Sequence, residues 1–517
     1  MLLEIPAAIV PDDVAAVDPG GSVTYAELGG RVNAVSQALL DAGLPEGGRV
    51  LVLSVNTVAH LAALFGIAAA GGVGVPVNYR VREDELAYLL TDAQVDVVLA
   101  QPRYLELARA AGAGVAGLQV FDLDALAGGA GAEPGELIRR REIEYGSTAT
   151  VLYTSGTTSA PKGVMLAHTG LSSYVMTAND SADGTPQGRS LLSAPLYHVA
   201  GLAAMLNGLY VGRTTVLQPQ FEAGGWLDCV EDERITHAFV VPTMLARIVD
   251  HPDFAPERVS SLQVLTYGAA PMPPSLIRRT IEAFPDGVQF SGAYGQTETS
   301  STVAVLGPDD HDLTVDDPAV VALRTRRLSS VGKVVDDVEV RIVDPSGAVL
   351  GVDVEGEVQL RTERAMTGYW GGASEATRVS VDDEGWLSTG DLGHLDEGGY
   401  LFLGGRRGDL IIRGGQNVAP EEVEAIVYEH PDVADVAVVG VTDEEWGERI
   451  AAVVVRREGS DVAEEELLRF CAERTSADRR PEIVLFTDEL PRNVMGKLVR
   501  RALQPLLSER LPGATAG

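Results

Sequence analysis

Two periodicities of hydrophobic and polar residues alternate along the first half of the chain. The segment 24–43 repeats apolar residues at helical spacing and opens with Thr24 and Glu27, which are spaced as in a capping box. RVLVLSV follows and predicts a buried strand, and HLAALFGIAAAGG predicts a second helix. Strands that alternate with helices form parallel sheets covered by helices, so this half of the chain predicts an α/β fold.

The pattern changes between about residues 329 and 404. VEVRIVDPSGAVL, EGEVQLR and GYLFLGG are short strand-like runs separated by Gly and Asp turns, which predict an antiparallel, barrel-like subdomain. After the Gly/Arg stretch GGRRGDLIIRGG, two helical patterns (PEEVEAIVYEH, EEELLRFCAER) and three strand patterns (DVAVVGV, RIAAVVVRR, EIVLF) predict a compact α+β unit.

The length of 517 residues exceeds what one hydrophobic core usually supports. We therefore predict an N-terminal domain over 1–404, a hinge over 405–409 and a C-terminal domain over 410–517. The N-terminal domain would contain two parallel-type α/β subdomains and the barrel-like subdomain. The C-terminal domain would be a small, mobile α+β domain. The low-complexity stretch GGAGAEPGE near residue 130 predicts a surface loop.

Composition restricts the class of partner. Hydrophobic residues make up 45% of the chain and charged residues 22%, which is typical of a soluble globular protein. The formal charge of −34 argues against a nucleic-acid partner, because a phosphate backbone would be repelled. Two distant cysteines, a start without a basic region and no apolar run near the roughly 20 residues of a membrane span predict a cytoplasmic protein without a membrane span.

The segment TVLYTSGTTSAPKGVMLAH, at 150–168, indicates phosphate binding. An apolar strand leads into a loop of Ser, Thr and Gly that ends at Lys162, and backbone N–H groups and hydroxyls of such a loop can bind phosphate oxygens. It is not a Walker loop, since Lys162 follows Pro161 and precedes Gly163. The alternative is an ordinary Ser/Gly linker.

TSGTTSAPKG resembles the phosphate loop of the adenylate-forming superfamily, which includes acyl- and aryl-CoA synthetases, peptide-synthetase adenylation domains and luciferases. Four further segments resemble family motifs in the family's order: YGQTE (294–298, adenine and magnesium), STGD (388–391, ribose), GRRGDLIIRGGQNVAPEEVE (405–424, hinge) and PRNVMGKLVRR (491–501, catalytic lysine). Five motifs in order are more specific than any one of them.

The resemblance implies a role for each motif residue. The β- and γ-phosphates of ATP would be held by Thr154, Ser155, Gly156, Thr157, Thr158 and Lys162. Glu298 would bind Mg²⁺, which prefers carboxylate and phosphate oxygens, and Thr297 would contact the α-phosphate. The adenine would lie between Tyr294, with Gly295 beside it, and the loop Gly268, Ala269 and Ala270. Asp391 would accept the ribose hydroxyls and Arg406 would contact ribose or phosphate.

Three of these residues have a plain structural alternative. Tyr294 could be a core aromatic, Asp391 a turn residue and Glu298 a solvated acid.

Lysine is rare in this chain. The three lysines are Lys162, Lys333 and Lys497, and arginine supplies every other long cation. A carboxylate that attacks the α-phosphorus of ATP brings two anions together, and a compact ammonium with three donors can contact both. The resemblance therefore implies that Lys497 acts by electrostatic stabilisation and orientation. The alternative is a solvated surface lysine, and we assign Lys333 a structural role.

The resemblance also implies a second half-reaction, in which a thiol attacks the acyl-adenylate after the C-terminal domain rotates about the hinge. The thiol would belong to coenzyme A. Gly414 and Gly415 would border its pantetheine tunnel, and Trp446 would pack on its adenine. Gly408 stands where relatives commonly have Asp or Lys, and Ser159 stands where Gly is usual.

The segment PLYHVAGL resembles the wall of the acid pocket, with His198 beside the reacting carboxylate. No acidic residue adjoins His198, which argues against an amino-acid substrate. The other expected walls, at 240–244, 266–270 and 291–295, are apolar or small and carry no fixed charge. Small residues would leave room for a medium or long fatty acyl chain: Ala200, Gly201, Ala204, Gly292 and Ala293.

Several alternatives to a fatty acyl-CoA synthetase stay open. The acid could be an aryl acid or o-succinylbenzoate, or the enzyme could be an acyl-AMP ligase that loads a carrier protein. A non-catalytic nucleotide-binding protein of the same fold is the alternative from another class. The sequence makes no prediction about the oligomeric state.

Overall fold

A computed structural model describes residues 1–128, 133–154, 161–371, 380–443, 446–477, 479–492, 498–503 and 506–507. Its α-helices are α1 (Glu4–Ile9), α2 (Tyr25–Asp41), α3 (Val58–Ala69), α4 (Glu83–Asp92), α5 (Leu105–Ala111), α6 (Leu123–Gly128), α7 (His168–Ala178), α8 (Val199–Tyr210), α9 (Ala223–Asp232), α10 (Pro242–Val249), α11 (Pro274–Ala283), α12 (Pro308–His311), α13 (Pro318–Arg327), α14 (Pro420–Tyr428) and α15 (Glu464–Ala472).

The strands are β1 (Val14–Asp18), β2 (Gly21–Thr24), β3 (Arg49–Leu53), β4 (Val73–Pro76), β5 (Val97–Ala100), β6 (Gln119–Asp122), β7 (Thr148–Thr154), β8 (Lys162–Ala167), β9 (Arg189–Leu192), β10 (Thr214–Leu217), β11 (His237–Val240), β12 (Val264–Gly268), β13 (Gln289–Gln296), β14 (Ser301–Leu306), β15 (Lys333–Val334), β16 (Glu339–Val343), β17 (Gly356–Arg361), β18 (Gly368–Tyr369), β19 (Leu387–Leu395), β20 (Leu401–Arg406), β21 (Ile411–Arg413), β22 (Gln416–Val418), β23 (Val433–Asp443), β24 (Gly447–Arg456) and β25 (Ile483–Phe486). Short 3-10 helices occur at Pro102–Tyr104, Pro256–Val259, Thr297–Thr299 and Arg500–Leu503.

Two large sheets form the first part of the molecule, as the alternating pattern predicts. One has the strand order β18-β8-β7-β4-β3-β5-β6, and the other has the order β15-β14-β13-β12-β11-β9-β10-β1-β2. Within the second sheet, the run from β1 through β10, β9, β11 and β12 to β13 is parallel. The carboxyl ends of β12 and β13 therefore lie at the same sheet edge.

The predicted capping box starts α2. The Thr24 hydroxyl accepts the backbone N–H of Glu27 at 3.1 Å, and the Glu27 carboxylate accepts the backbone N–H of Thr24 at 2.7 Å. The buried face of this helix packs on α3, where a Cβ added to Gly66 would lie 2.8 Å from the Val35 side chain. A glycine at this position permits the close approach of the two helices.

The later part of the chain changes to mainly antiparallel strand pairing, as predicted. Strands β16, β17, β19 and β20 form an antiparallel sheet, and the last sheet orders as β22-β21-β24-β23, with β25 parallel to β24. The predicted fold class, a large multi-sheet α/β domain followed by a small α+β domain, is confirmed. The predicted hinge, 405–409, begins in the last two residues of β20 and ends before β21 starts at Ile411; its bounds stay a prediction.

Two further expectations concern the surface and the membrane. Residues 133–136 of the predicted surface loop form no helix or strand, and the rest of its glycine-rich part, 129–132, lies outside the described residues. Within the described ranges, no helix combines the length and the apolar character needed to cross a bilayer.

Candidate active site

Strands β7 and β8 position the two ends of the predicted phosphate loop. Thr154 ends β7, Lys162 begins β8, and the two residues pair in register. The Thr154 hydroxyl lies 3.5 Å from the carbonyl oxygen of Lys162. Ser155, Gly156, Thr157 and Thr158 lie outside the described residues. The hairpin therefore brings Thr154 and Lys162 together, which is the arrangement that a phosphate-binding loop between them requires.

Tyr369 connects two predicted site residues. It lies on β18, which pairs with β8, and its ring centroid is 5.3 Å from the Lys162 ammonium nitrogen. Its hydroxyl donates to Oε1 of Glu298 at 3.0 Å. Burial, together with the neighbouring Glu298 carboxylate, raises the pKa of Tyr369, so the hydroxyl keeps its proton and acts as the donor.

Sequence reasoning missed Tyr369. The dipeptide Gly368-Tyr369 follows no motif that the sequence analysis used, and its place depends on a pairing between distant strands.

Glu298 can serve as a magnesium ligand only if phosphate oxygens supply further ligands. Among the described residues, no group of three His, Cys, Asp or Glu side chains could hold a metal ion. Mg²⁺ usually binds proteins through one or two carboxylates plus phosphate oxygens and water. One carboxylate close to the end of a phosphate loop matches that ligand set, and a Mg²⁺ ion bound there would neutralise phosphate charge.

Asp391 is the most highly connected polar residue of the site. Its side chain is buried on β19, and Oδ2 accepts the Tyr294 hydroxyl at 2.6 Å and the Gln296 side-chain amide at 2.8 Å. Oδ1 accepts Nε–H of Arg406 at 2.8 Å. An ionised carboxylate offers about four acceptor positions, so three are in use. Accepting two ribose hydroxyls as well would require at least one of these donors to move.

The residues predicted to surround adenine meet at the carboxyl edge of β12 and β13. Gly268 pairs with Ala293, and a Cβ on Gly268 would lie 2.2 Å from the Ala293 carbonyl oxygen. A Cβ on Gly295 would lie 1.9 Å from the Ser301 carbonyl oxygen. Ala269 has a positive φ of 66°, a conformation that is costly for a residue with a side chain and is found disproportionately at functional sites.

A cavity of about 230 Å³ lies beneath this edge. Ala269 and Gly295 line it at the carboxyl ends of the strands, and Ser190, His237 and Val264 line it at the amino ends. Each strand residue advances the chain by about 3.3 Å, so the four steps from Val264 to Gly268 correspond to about 13 Å along the sheet. The cavity reaches the predicted nucleotide loops at the carboxyl ends of the strands, which is the position expected of an acid pocket.

The cavity corrects part of the predicted pocket. Ala200, Ala204 and Ala293 line it as expected, whereas Gly201, Gly292 and the segment 240–244 do not. A Cβ on Gly201 would lie 2.1 Å from the Pro195 carbonyl oxygen, so this glycine permits backbone packing.

Arg213 also lines the cavity and adds a fixed charge outside the wall segments that the sequence analysis named. Arg213 lies in the turn before β10, where its sequence context, GRTTV, looks like an ordinary start of a strand.

His198 caps the amino end of α8, beside the cavity-lining residues Val199 and Ala200. Its Nε2 is buried and has no hydrogen-bond partner among the described residues. Burial lowers the pKa of His198 to about 4, so the imidazole is neutral at pH 7. His198 itself does not line the cavity, so its position beside a carboxylate stays a prediction.

The predicted coenzyme A residues come together in the C-terminal region. Gly414 and Gly415 have φ of 56° and 83° and form the two-residue turn between β21 and β22. The Gly414 N–H donates to the Trp446 carbonyl at 2.7 Å, and a Cβ on Gly414 would lie 3.2 Å from the Trp446 ring. Trp446 is 44% exposed, and its ring is therefore available to a ligand.

Lys497 lies outside the described residues, but both sides of its segment are held. Arg492 donates two hydrogen bonds to Asp435, at 2.9 and 2.6 Å. Arg500 donates to Glu421 and Glu424 and lies 3.6 Å from Asp409 in the hinge. These ion pairs attach the segment to the C-terminal domain.

The long hairpin of β23 and β24 carries contacts to both the lysine segment, predicted for adenylation, and the Trp446 turn, predicted for coenzyme A binding. Asp435, which holds Arg492, lies near the start of β23, whereas Trp446 follows its end at Asp443. Eight residues of antiparallel strand span about 27 Å. The Arg492 end of the lysine segment therefore lies far from the Trp446 turn, whereas Arg500, at its other end, donates to the Val438 carbonyl in the middle of β23.

Comparison with known proteins identifies the family of the chain. Residues 3–370 match the AMP-binding enzyme family, and residues 422–497 match the AMP-binding enzyme C-terminal domain. The chain is 36% identical to a feruloyl-CoA synthase of an Amycolatopsis species over 96% of both chains. It is 33% identical to an indoleacetate–CoA ligase of Aromatoleum aromaticum over 98% of this chain and 97% of that protein.

A solved structure matches over nearly the full length. It is the o-succinylbenzoate CoA synthetase of Bacillus subtilis in complex with the acyl-adenylate OSB-AMP, with a TM-score of 0.84, 29% identity and 97% coverage of both chains. The chain therefore belongs to the AMP-binding enzyme family. It is an AMP-forming acid–thiol ligase, as the motifs predict.

Proposed function

We propose that this protein activates a compact aromatic carboxylic acid with ATP and transfers the acyl group to coenzyme A. The acyl-adenylate would be the intermediate, and pyrophosphate and AMP would be the other products. The observation that carries this proposal is the 230 Å³ cavity, which begins at Ala269 and Gly295 of the predicted nucleotide loops.

The size and lining of the cavity favour an aromatic acid over the fatty acid favoured by the sequence. Sites for drug-sized ligands usually measure about 300–1,000 Å³, so this cavity suits a small acid. A long aliphatic chain would place methylene groups against the Arg213 guanidinium and leave its two terminal nitrogens without a polar partner. The relatives named for feruloyl and indoleacetate, both aromatic, are consistent with this preference.

The chemistry requires two nucleophilic steps. In the first, a carboxylate oxygen bonds to the α-phosphorus of ATP and the bond to the β-phosphate breaks, which releases pyrophosphate. Lys162, at the phosphate loop, and Lys497 would counter the negative charge of both anions. In the second, the thiol sulfur bonds to the acyl carbon, its proton passes to solvent, and AMP leaves.

The separation of Trp446 from the lysine segment supports reorientation of the C-terminal domain between these steps. The domain would turn about residues 405–409 and present its two ends in succession. The Arg457–Asp250 ion pair, at 3.2 Å, joins the two domains in this structure and would break during the movement. We also propose that Glu298 binds Mg²⁺ and that the enzyme works in the cytoplasm.

A panel of acids tests the proposal. Ferulate, indoleacetate, o-succinylbenzoate, octanoate and palmitate would be compared by pyrophosphate release and by acyl-CoA formation. We expect kcat/KM for the best aromatic acid to exceed that for palmitate at least tenfold. A preference for palmitate would overturn the substrate class, and thioester formation only on a carrier protein would overturn the choice of coenzyme A.

A further inference from the structure

Arg213 is a cation without a counter-ion in the wall of the acid cavity. It is half-buried, and its Nε donates to the Gln187 carbonyl at 3.0 Å. Among the residues the structure describes, its two terminal nitrogens have no hydrogen-bond partner, and no carboxylate lies within ion-pair distance. A guanidinium stays charged at neutral pH and carries five donors. Four donors of Arg213 are therefore unused.

The position of Arg213 is fixed by its backbone. The Tyr25 hydroxyl donates to the Arg213 carbonyl at 3.0 Å, and the Arg213 N–H donates to the Gly208 carbonyl at 2.9 Å. Together with the Nε bond, these contacts hold the side chain at the cavity. Such a residue is prepared to bind a ligand with little loss of conformational freedom.

His237 is the second polar group at this end. It lines the cavity and begins β11, and its Nδ1 lies 2.8 Å from the Thr236 hydroxyl. Burial, and to a lesser extent the charge of Arg213, lowers the pKa of His237 to about 4, so the ring is neutral at pH 7. The charge at this end of the cavity is therefore that of Arg213.

Strand direction places these residues at the far end of the substrate. His237 pairs with Val264 at the amino ends of β11 and β12, whereas Ala269 follows the carboxyl end of β12. The reacting carboxylate belongs at the Ala269 end, where the nucleotide loops lie. Arg213 and His237 thus face the part of the acid about 13 Å away along the sheet.

We propose that Arg213 selects acids whose distal end carries an oxygen that accepts hydrogen bonds. The oxygen belongs to a phenolic hydroxyl or to a second carboxylate, and both would accept from the free guanidinium donors. This inference rests on the proposed function, because it places the reacting carboxylate at the nucleotide end of the cavity.

The test uses three acids that differ only at the distal position: cinnamate, 4-hydroxycinnamate and 4-carboxycinnamate. Calorimetric titration measures binding of each acid to the full-length protein, and pyrophosphate release measures turnover. We expect one substituted acid to bind wild type roughly tenfold more tightly than cinnamate, since a hydrogen bond to a charged group is worth about 1.5–3 kcal/mol. The better of the two acids identifies which oxygen the site prefers.

Two variants separate recognition from folding. Arg213→Met should remove the preference for the substituted acid while cinnamate binds as well as before, and Arg213→Lys should retain part of it. Equal weakening of all three acids in Arg213→Met, or no preference in wild type, would overturn the inference. If Arg213→Met fails to fold, Arg213→Lys and His237→Asn take its place. A preference for the substituted acid over cinnamate that equals wild type in both variants would also overturn the inference.

Binding and turnover also separate this inference from the proposed function. Selective binding without pyrophosphate release would uphold the role of Arg213 and reject the proposed reaction for these acids. Pyrophosphate release from all three acids at equal kcat/KM would support the proposed reaction and reject the role of Arg213.

Discussion

Asp391 and Arg406 pair in register on the antiparallel strands β19 and β20, and Nε of Arg406 donates to Oδ1 of Asp391 over 2.8 Å. Arg406 is also the last residue of β20 and lies within the predicted hinge, 405–409. The predicted ribose ligand is thus bonded directly to the start of that hinge. If Asp391 binds the ribose, as predicted, nucleotide binding and the conformation of the hinge would be physically connected.

Replacing the carboxylate tests this connection. Asp391→Asn removes the charge that Arg406, Tyr294 and Gln296 contact, and we expect KM for ATP to rise about tenfold or more. Asp353→Asn is a matched control, because Asp353 is exposed and has a positive φ of 57° that Asn tolerates. Acid-dependent ATP–pyrophosphate exchange measures both variants. An unaltered KM for ATP in Asp391→Asn would remove Asp391 from the nucleotide site.

Lys497 is expected to serve only the adenylation step. Lys497→Ala should lower ATP–pyrophosphate exchange by about 10²–10³, the usual loss for one preorganised electrostatic contact. Lys333→Ala is the control, because Lys333 is exposed and its ammonium packs 5.0 Å from the Tyr400 ring. Its exchange rate should match wild type. Equal exchange rates in both variants would show that Lys497 is a solvated surface residue.

Tyr369 should act through Glu298. Tyr369→Phe keeps the ring beside Lys162 and removes the hydroxyl that donates to Glu298. We expect the Mg²⁺ concentration for half-maximal exchange to change about tenfold, while the melting temperature stays close to wild type. Tyr400→Phe removes a comparable hydroxyl bond, to Asp310, outside the site, and its Mg²⁺ dependence should not change. The same Mg²⁺ curve for all three proteins would reject this role.

Trp446 should affect the thiol step alone. Trp446→Ala is expected to raise KM for coenzyme A several-fold through lost aromatic contact, and to leave ATP–pyrophosphate exchange unchanged. Ile412→Ala is the control, since Ile412 is 55% exposed on the neighbouring strand β21. If KM for coenzyme A does not change in Trp446→Ala, coenzyme A binds elsewhere.

Local chemistry could be predicted from the sequence. The capping box at Thr24 and the strand that runs into the loop before Lys162 both lie within short motifs. Such features depend on residue types and spacing within a short stretch, which a sequence displays directly. The order of the strand patterns likewise predicted the α/β class and the later antiparallel sheet.

Long-range contacts could not be predicted in the same way. Tyr369 reaches Glu298 because β18 pairs with β8, and Gln296 reaches Asp391 because two separate sheets meet. Arg213 lines the cavity because α8 and β10 are joined by a tight turn that begins at Gly212, with φ of 83°. Each of these contacts is fixed by tertiary packing. No local sequence pattern therefore predicted that Tyr369 and Gln296 contact site residues, or that a charged residue lines the cavity.

The length of the β23–β24 hairpin has a consequence for the order of the two half-reactions. Arg492, at one end of the lysine segment, and Trp446 are held near opposite ends of one strand. If both regions serve one nucleotide pocket, as we propose, they would have to enter it in succession. The thiol-binding region would then stay away from the pocket while the acyl-adenylate forms. The order of the two steps would thus be imposed by the dimensions of the hairpin.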